Sequence, residues 1–307
     1  MKSRSLRVFL LISFCFLVVL GCTKGATDKK AFVIGINQFM QHPLLDDVNK
    51  GLNESLKAAG ISPEAGSQVI VKNANGDQNV ALQINKQFID QKVDVLVALG
   101  TPSAQSAMKL TKAIPIVFGA ITDPVAAGIA DSIEKPGGNK TGTTDRWPYE
   151  KQIALIKKLV PNAKKVGIVL NPGESNTEAS MKYIKPLIQK EGMETVEVSV
   201  ANTSEVFNAV RSLVGRCDVL LVPGDNTVIA AIDSMVKVAN KNKIPLFAGS
   251  TDMVEKGAIA TYGNNYYEIG RETGKIVVDI LKNKKDPGSI PVMVASDADL
   301  VINVNAA

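Results

Sequence analysis

The sequence predicts an α/β protein of two lobes, each a doubly wound parallel sheet flanked by helices, joined by a hinge. Three observations predict it. From Lys30 onward, short runs of Val, Ile, Leu and Ala alternate with helical stretches. The runs are near-continuous rather than alternating, as in strands buried on both faces of a parallel sheet. The rhythm breaks once, at the turn-forming residues 132–139, and then restarts with the same architecture. A chain of 307 residues, 45% hydrophobic and 21% charged, can bury a real core and fill more than one domain.

In the first half, residues 31–36 read as a strand. Residues 43–59 read as a helix with Leu44, Leu45, Val48, Leu52 and Leu56 on one side and Gly60 as its stop. Strands are expected at 68–72, 93–99 and 114–118, with helices at 79–90 and 103–110 between them. The connections are short, which suits right-handed strand–helix–strand crossovers. Residues 141–144 form a short extended piece leading into the hinge.

In the second half, helices are expected at 147–159, 174–190, 206–214 and 228–240, with strands at 166–170, 194–200, 218–222 and 244–248. Pro186 falls inside the second of these helices and predicts a kink or an early final turn. Residues 257–262 read as a strand that returns to the first lobe, 267–281 as a long helix, and 289–295 and 299–304 as short strands. The expected lobes are 31–143 with 262–290, and 144–261 with 291–307. Lobes crossed several times by one chain hinge around a cleft.

The N-terminus reads as a secretory leader. Lys2, Arg4 and Arg7 precede an apolar stretch at 8–20, too short to span a hydrocarbon core of about 30 Å. Val19-Leu20-Gly21-Cys22 resembles a bacterial lipobox, which implies cleavage before Cys22, a lipid on Cys22 and a membrane-anchored mature protein. Residues 22–30 then serve as a polar tether. Removing the 21 leader residues and their three basic side chains leaves 286 residues and a net charge of +2. That balance, with no interleaved basic and aromatic residues, argues against nucleic acid. Cys217 is then the one remaining thiol, beside an apolar run, and reads as a small packed residue.

Ligands of open α/β sheets bind beyond the carboxyl ends of the strands. Those positions here hold Gln38, Thr101-Pro102-Ser103-Ala104, Thr122-Asp123, Glu174 within 171–176, Asp225-Asn226, and Asn264. They are donors and acceptors with few full charges, suited to holding a small polar or zwitterionic molecule. Thr101 reads as a helix cap with Pro102 in the first turn, so the N–H groups of Ser103 and Ala104 and the nearby hydroxyls offer a cradle for a carboxylate. Helix capping alone explains the same residues. Asp225 reads either as an anchor for an ammonium group or as the cap of the next helix. His42 reads either as a ligand contact or as part of the first helix's start. No dinucleotide fingerprint, phosphate loop, zinc-protease motif or nucleophile elbow occurs, and no spacing marks an acid/base pair or a metal set. No enzyme, cofactor or metal site is expected.

Several stretches together resemble the TrpX-like substrate-binding lipoproteins of ABC importers. They are Gln41-His42-Pro43-Leu44-Leu45-Asp46, Asn73-Ala74-Asn75-Gly76-Asp77, Thr101-Pro102-Ser103-Ala104-Gln105, Thr122-Asp123-Pro124-Val125, Asn171-Pro172-Gly173-Glu174-Ser175-Asn176, Asp225-Asn226-Thr227-Val228, Lys243-Ile244-Pro245-Leu246-Phe247 and Gly270-Arg271-Glu272-Thr273-Gly274. The resemblance runs from about residue 32 to 307 and implies a type I periplasmic-binding-protein fold. It implies a monomeric extracytoplasmic receptor that closes on an amino acid, aromatic ones being prominent, and delivers it to a membrane permease driven by an ATPase. By the same resemblance, Thr101, Ser103 and Ala104 hold the carboxylate, and Asp225 takes the amine with Asn226 and Asn264 in support. Gln38, Thr122, Asp123 and Glu174 complete the polar lining. Thr261-Tyr262-Gly263-Asn264-Asn265 stands where the family has a more apolar segment, a difference that bears on the side-chain pocket. A nucleoside, sugar or short-peptide receptor of the same fold, or a sensory module, is the competing reading.

Overall fold

The computed structural model describes residues 31–295 and 298–306. The expected leader and the whole tether, Cys22 included, lie outside the described residues.

The first sheet contains β1 (Val33–Gln38), β2 (Gln68–Asn73), β3 (Val95–Leu99), β4 (Ile116–Ile121), β5 (Lys140–Thr144) and β11 (Met293–Val294). Its order is β11-β5-β4-β3-β1-β2, and every pairing is parallel. The second sheet contains β6 (Lys165–Leu170), β7 (Glu194–Ser199), β8 (Val219–Leu221), β9 (Leu246–Phe247), β10 (Ala260–Gly263) and β12 (Asp299–Ile302). Its order is β12-β10-β9-β8-β6-β7, parallel except for β12 against β10. The two lobes thus repeat one strand order. In each, the chain winds outward both ways from its first strand, leaving a crevice between β1 and β3 and another between β6 and β8.

The continuous apolar runs are the central strands. β3 and β4 are buried along their whole length. The edge strands β2 and β7 are only partly covered, and their sequences carry polar residues accordingly.

The helices of the first lobe are α1 (Pro43–Ala58), α2 (Gln78–Asp90) and α3 (Thr101–Met108). Those of the second are α4 (Tyr149–Leu159), α5 (Ser175–Lys190), α6 (Thr203–Leu213), α7 (Asn226–Ala230), α8 (Ile232–Asn242) and α9 (Thr251–Glu255). The last helix, α10 (Tyr266–Leu281), packs against α1, β4 and β5 and so belongs to the first lobe. α1 and α10 touch backbone to backbone. A Cβ on Gly51 would lie 2.1 Å from the Tyr267 carbonyl oxygen, and one on Gly270 would lie 2.1 Å from that of Val48.

The chain passes between lobes after β5, between β10 and α10, and between β11 and β12. This is the two-lobed α/β architecture that the sequence predicts. Four details differ. β10 does not return to the first lobe: it continues the second sheet beside β9, and the crossing comes after it, at 264–265. Met293 and Val294 pair with Thr143 and Thr144 of the first sheet, so that lobe extends past the expected boundary at 290. The single helix expected at 228–240 is two helices, broken at Ala231. α5 runs through Pro186 to Lys190, because Pro186 lies on the exposed face and the Lys182 carbonyl it leaves unbonded faces water.

Candidate ligand-binding site

A small cavity of about 20 Å³ lies between the lobes, at the ends of both crevices. That is far below the range of small-molecule sites, about 300–1,000 Å³, so a ligand is admitted only as the lobes open. Leu44, Leu45, Thr101, Ala120 and Thr122 line it from the first lobe, and Asn176, Gly224, Asn226 and Ile229 from the second. His42, Asp145, Trp147 and Tyr266 complete the wall. Topology explains the set. Residues following β1 and β3 meet residues following β6 and β8, and the two crossings supply Asp145, Trp147 and Tyr266.

The crossings are locked by a chain of hydrogen bonds. Trp147 Nε1 donates to the Tyr266 hydroxyl at 2.7 Å, and that hydroxyl donates to Asp145 Oδ2 at 2.7 Å. Asn264 Nδ2 donates to the backbone carbonyls of Asp145 and Arg146 at 2.8 and 3.3 Å, tying one crossing to the other. Gly249 makes room for the indole, since a Cβ there would lie 1.9 Å from the Trp147 ring. Asp145 Oδ1 is buried and has no partner. Burial pushes the Asp145 carboxyl above its usual range, while the hydroxyls of Tyr266 and Thr122 and a backbone N–H act the other way. Among the described lining residues it is the one carboxyl, and burial lowers the pKa of the one histidine, His42. A buried carboxylate with an open oxygen calls for a cationic group from outside.

On the opposite wall, Glu174 is a buried cap for α7. Its Oε1 accepts from the Thr227 N–H at 3.0 Å and the Thr227 hydroxyl at 2.7 Å. Its Oε2 accepts from the Asn226 N–H, from Asn226 Nδ2 and from Asn176 Nδ2. Asp225 is the N-cap itself: Oδ1 accepts from the Val228 N–H, and Oδ2 from the Asn171 N–H and the Thr177 hydroxyl. Burial, and then the neighbouring Glu174 charge, push the Asp225 carboxyl up to about 7. Asn226 Oδ1 is left to meet His42 Nε2 across the cleft at 3.1 Å. His42 Nδ1 meanwhile accepts from the Leu45 N–H and caps α1. These two bonds fix the ring as the Nε2–H tautomer.

The expected site residues therefore divide. Thr101, Thr122 and Asn226 line the cavity. Asp225 does not reach it with a free oxygen: both oxygens are taken by backbone and Thr177 donors, so it caps α7 and Asp145 holds the open carboxylate. Glu174 and Asn264 stand behind the lining, the first holding Asn226 and Asn176, the second the crossings. Ser103 turns inward and donates to Asn37 Oδ1, while the Ala104 N–H is spent on the Gly100 carbonyl. The reason is that α3 begins one residue earlier than expected: Gly100, at φ 88°, is the N-cap and Thr101 the first helical residue. Gln38 is bonded within its lobe to Met40, Asp46 and Asn49. Asp123 accepts from the Ala126 N–H and from the Tyr183 hydroxyl at 3.0 Å, so it joins the lobes beside the cavity.

Sequence reasoning missed Asp145 and did not separate Asn176 from its motif. An acidic residue directly after the hinge strand, next to the single tryptophan, was the available signal. Cys217 is half-buried with its thiol pushed up to about 11, chiefly by burial, and is inert. Among the described residues there is no cluster of three metal-ligating groups, and no helix is long and apolar enough to cross a membrane.

Hydrogen bonds cross the cleft from His42 to Asn226, from Tyr183 to Asp123, from Ser175 to Gln105 at 3.0 Å and from Gln78 to the Gly173 carbonyl at 3.0 Å. The lobes are closed. Two sheets of one topology shut over a small cavity define a two-lobed binding protein of the type I periplasmic-binding-protein fold. The chain belongs to the family of ABC transporter substrate binding proteins, whose model matches residues 33–307. It is 38% identical over 280 residues to the tyrosine-binding protein of Clostridioides difficile, covering 91% of this chain and 81% of that one. An ABC domain from Streptococcus pneumonia, solved in complex with L-Trp, is 32% identical, with a TM-score of 0.86 over 90% of this chain and 93% of that one. A ligand-free, open substrate binding protein with adhesive properties from Clostridium difficile is 37% identical over the same shares, yet its TM-score is 0.67. The more identical chain, solved in an open form, superposes less well than the less identical one solved with L-Trp.

Proposed function

We propose that this protein captures an aromatic amino acid by closing its lobes over it and hands it to the permease and ATPase of an ABC importer. The observation that carries the reading is Asp145. Its buried Oδ1 has no partner, it is the one carboxyl of the cavity lining, and it stands beside Trp147 and Tyr266. The ligand's ammonium answers Asp145. Its carboxylate lies at the start of α3, where the Thr101 and Thr122 hydroxyls and the positive end of the helix favour an anion. Leu44, Leu45, Ile229 and Trp147 enclose the ring. The relatives that bind tyrosine and tryptophan support this choice of ligand. Capture is the whole of the protein's chemistry: the cavity offers no nucleophile with a base beside it, and the protein acts as a receptor, not as an enzyme. The leader pattern and Cys22 support an extracytoplasmic, lipid-anchored receptor, and the family resemblance supports a monomer.

Titration calorimetry of residues 23–307 against the twenty amino acids, inositol, ribose and nucleosides tests the reading. Tyrosine, tryptophan or both bind, and a concentration of 100 times Kd adds about 2.7 kcal/mol of apparent stability. Binding of a sugar with no response to any amino acid overturns it.

A further inference from the structure

Four buried side-chain polar atoms among the described residues lack a partner, and two of them belong to residues that line the cavity: Asp145 Oδ1 and Asn176 Oδ1. Asn176 is 4% exposed and sits in the first turn of α5. Its amide cannot be turned over. Nδ2 faces two acceptors, Glu174 Oε2 at 3.0 Å and the Gly224 carbonyl at 2.8 Å, so both N–H bonds are committed and the oxygen must be the atom left free. The glutamate that orients it is itself held by Asn226 and Thr227. The result is a rigid, neutral, unsatisfied acceptor in the second lobe, separate from the charged one at the crossing.

We infer that Asn176 selects ligands whose aromatic side chain carries a hydrogen-bond donor, an indole N–H or a phenol O–H, over the plain phenyl ring. The inference rests on the aromatic amino-acid reading above and deepens it. Charge sorts the two acceptors. The carboxylate of Asp145 takes the ammonium, which is the one cation an amino acid offers. The ligand carboxylate donates nothing. The neutral amide oxygen is then satisfied by the remaining donor, on the side chain. A buried acceptor left empty by phenylalanine costs about a factor of ten to a hundred in affinity.

The test compares ligand pairs that differ only in the donor: tyrosine with phenylalanine, and tryptophan with 3-benzothienylalanine, in which sulfur replaces the indole N–H. Calorimetry on the wild-type protein should show the donor-bearing member of at least one pair binding about ten- to a hundredfold tighter. Asn176→Ala should bring that pair within about threefold of each other. Equal affinities in both wild-type pairs overturn the inference, and show that a three-donor ammonium serves both acceptors. Full discrimination retained in Asn176→Ala overturns it as well. Should that variant not fold, the crystal structure of the wild-type complex decides. The side-chain donor lies within about 3.2 Å of Asn176 Oδ1, or another group occupies that place and the inference fails. Failure of every aromatic amino acid to bind defeats instead the reading on which the inference rests.

Discussion

His42 uses its two ring nitrogens for two tasks, capping α1 with Nδ1 and reaching Asn226 in the other lobe with Nε2. The cap requires the neutral ring, because Nδ1 accepts there, whereas the Nε2–H bond to Asn226 survives protonation; burial, the largest influence, lowers the pKa below the ordinary 6.5. A lowered pKa in the closed form means that closure is supported above 6.5 and loses that support as pH falls through and below it. Ligand affinity should therefore weaken on acidification, and His42→Gln, which keeps a donor without titrating, should flatten the profile of Kd against pH. Asp145→Asn removes the charge that answers the ammonium and should weaken amino-acid binding about ten- to a hundredfold, with the melting temperature of the empty protein held or raised. Asp225→Ala should do the reverse. It loses the α7 cap, at a cost of about 1 kcal/mol or more, and so lowers the melting temperature of the empty protein before it touches ligand preference. At this scale the sequence was half legible. Thr101, Thr122 and Asn226 follow from strand ends. Asp145 does not, because nothing local distinguishes a carboxylate with one bonded oxygen from one with two.

Among the elements, the strands and the long helices were readable, and the short helix α9 was not. Six-residue strands such as β1 and β6 and sixteen-residue helices such as α1 and α10 carry enough periodic positions to declare themselves. β9 has two residues, inside the strand expected at 244–248, whereas the five-residue α9 falls where the sequence predicts only a loop. Gly51 and Gly270 show the same limit. Both sit inside helices, where glycine is unfavourable, and only the α1–α10 crossing explains them. Gly51→Ala should push α10 off α1, destabilise the fold by about 1–3 kcal/mol in denaturant melts, and weaken binding too, since α10 begins at Tyr266.

For the whole molecule, closure is the functional event, and it is held by few contacts. The Tyr183 hydroxyl reaches Asp123, and the same ring is covered by the Arg146 guanidinium at 3.9 Å and stacks on Tyr149. Tyr183→Phe should shift the population toward the open form, seen as a larger radius of gyration by small-angle scattering at subsaturating ligand. Asp252 of α9 opposes this group of contacts. It faces Asp47 of α1, and burial together with the Asp47 charge raises its pKa. Two carboxyls that meet only when the lobes close make closure easier when one is protonated or absent, so Asp252→Asn should tighten ligand binding at neutral pH.

The sequence by itself determined the fold class, the repeated strand–helix plan and the strand-end zone in which the cavity lies. Those properties are written in local hydrophobic periodicity and in the short loops at strand ends. The tertiary structure decided which polar side chains are spent and which remain open. Asp145 and Asp225 are the same residue type at comparable loop positions. One keeps a free oxygen over the cavity and the other gives both oxygens to backbone and threonine donors. That distinction depends on partners up to 121 and 54 residues away, brought close by the crossings and by the β6–β8 crevice.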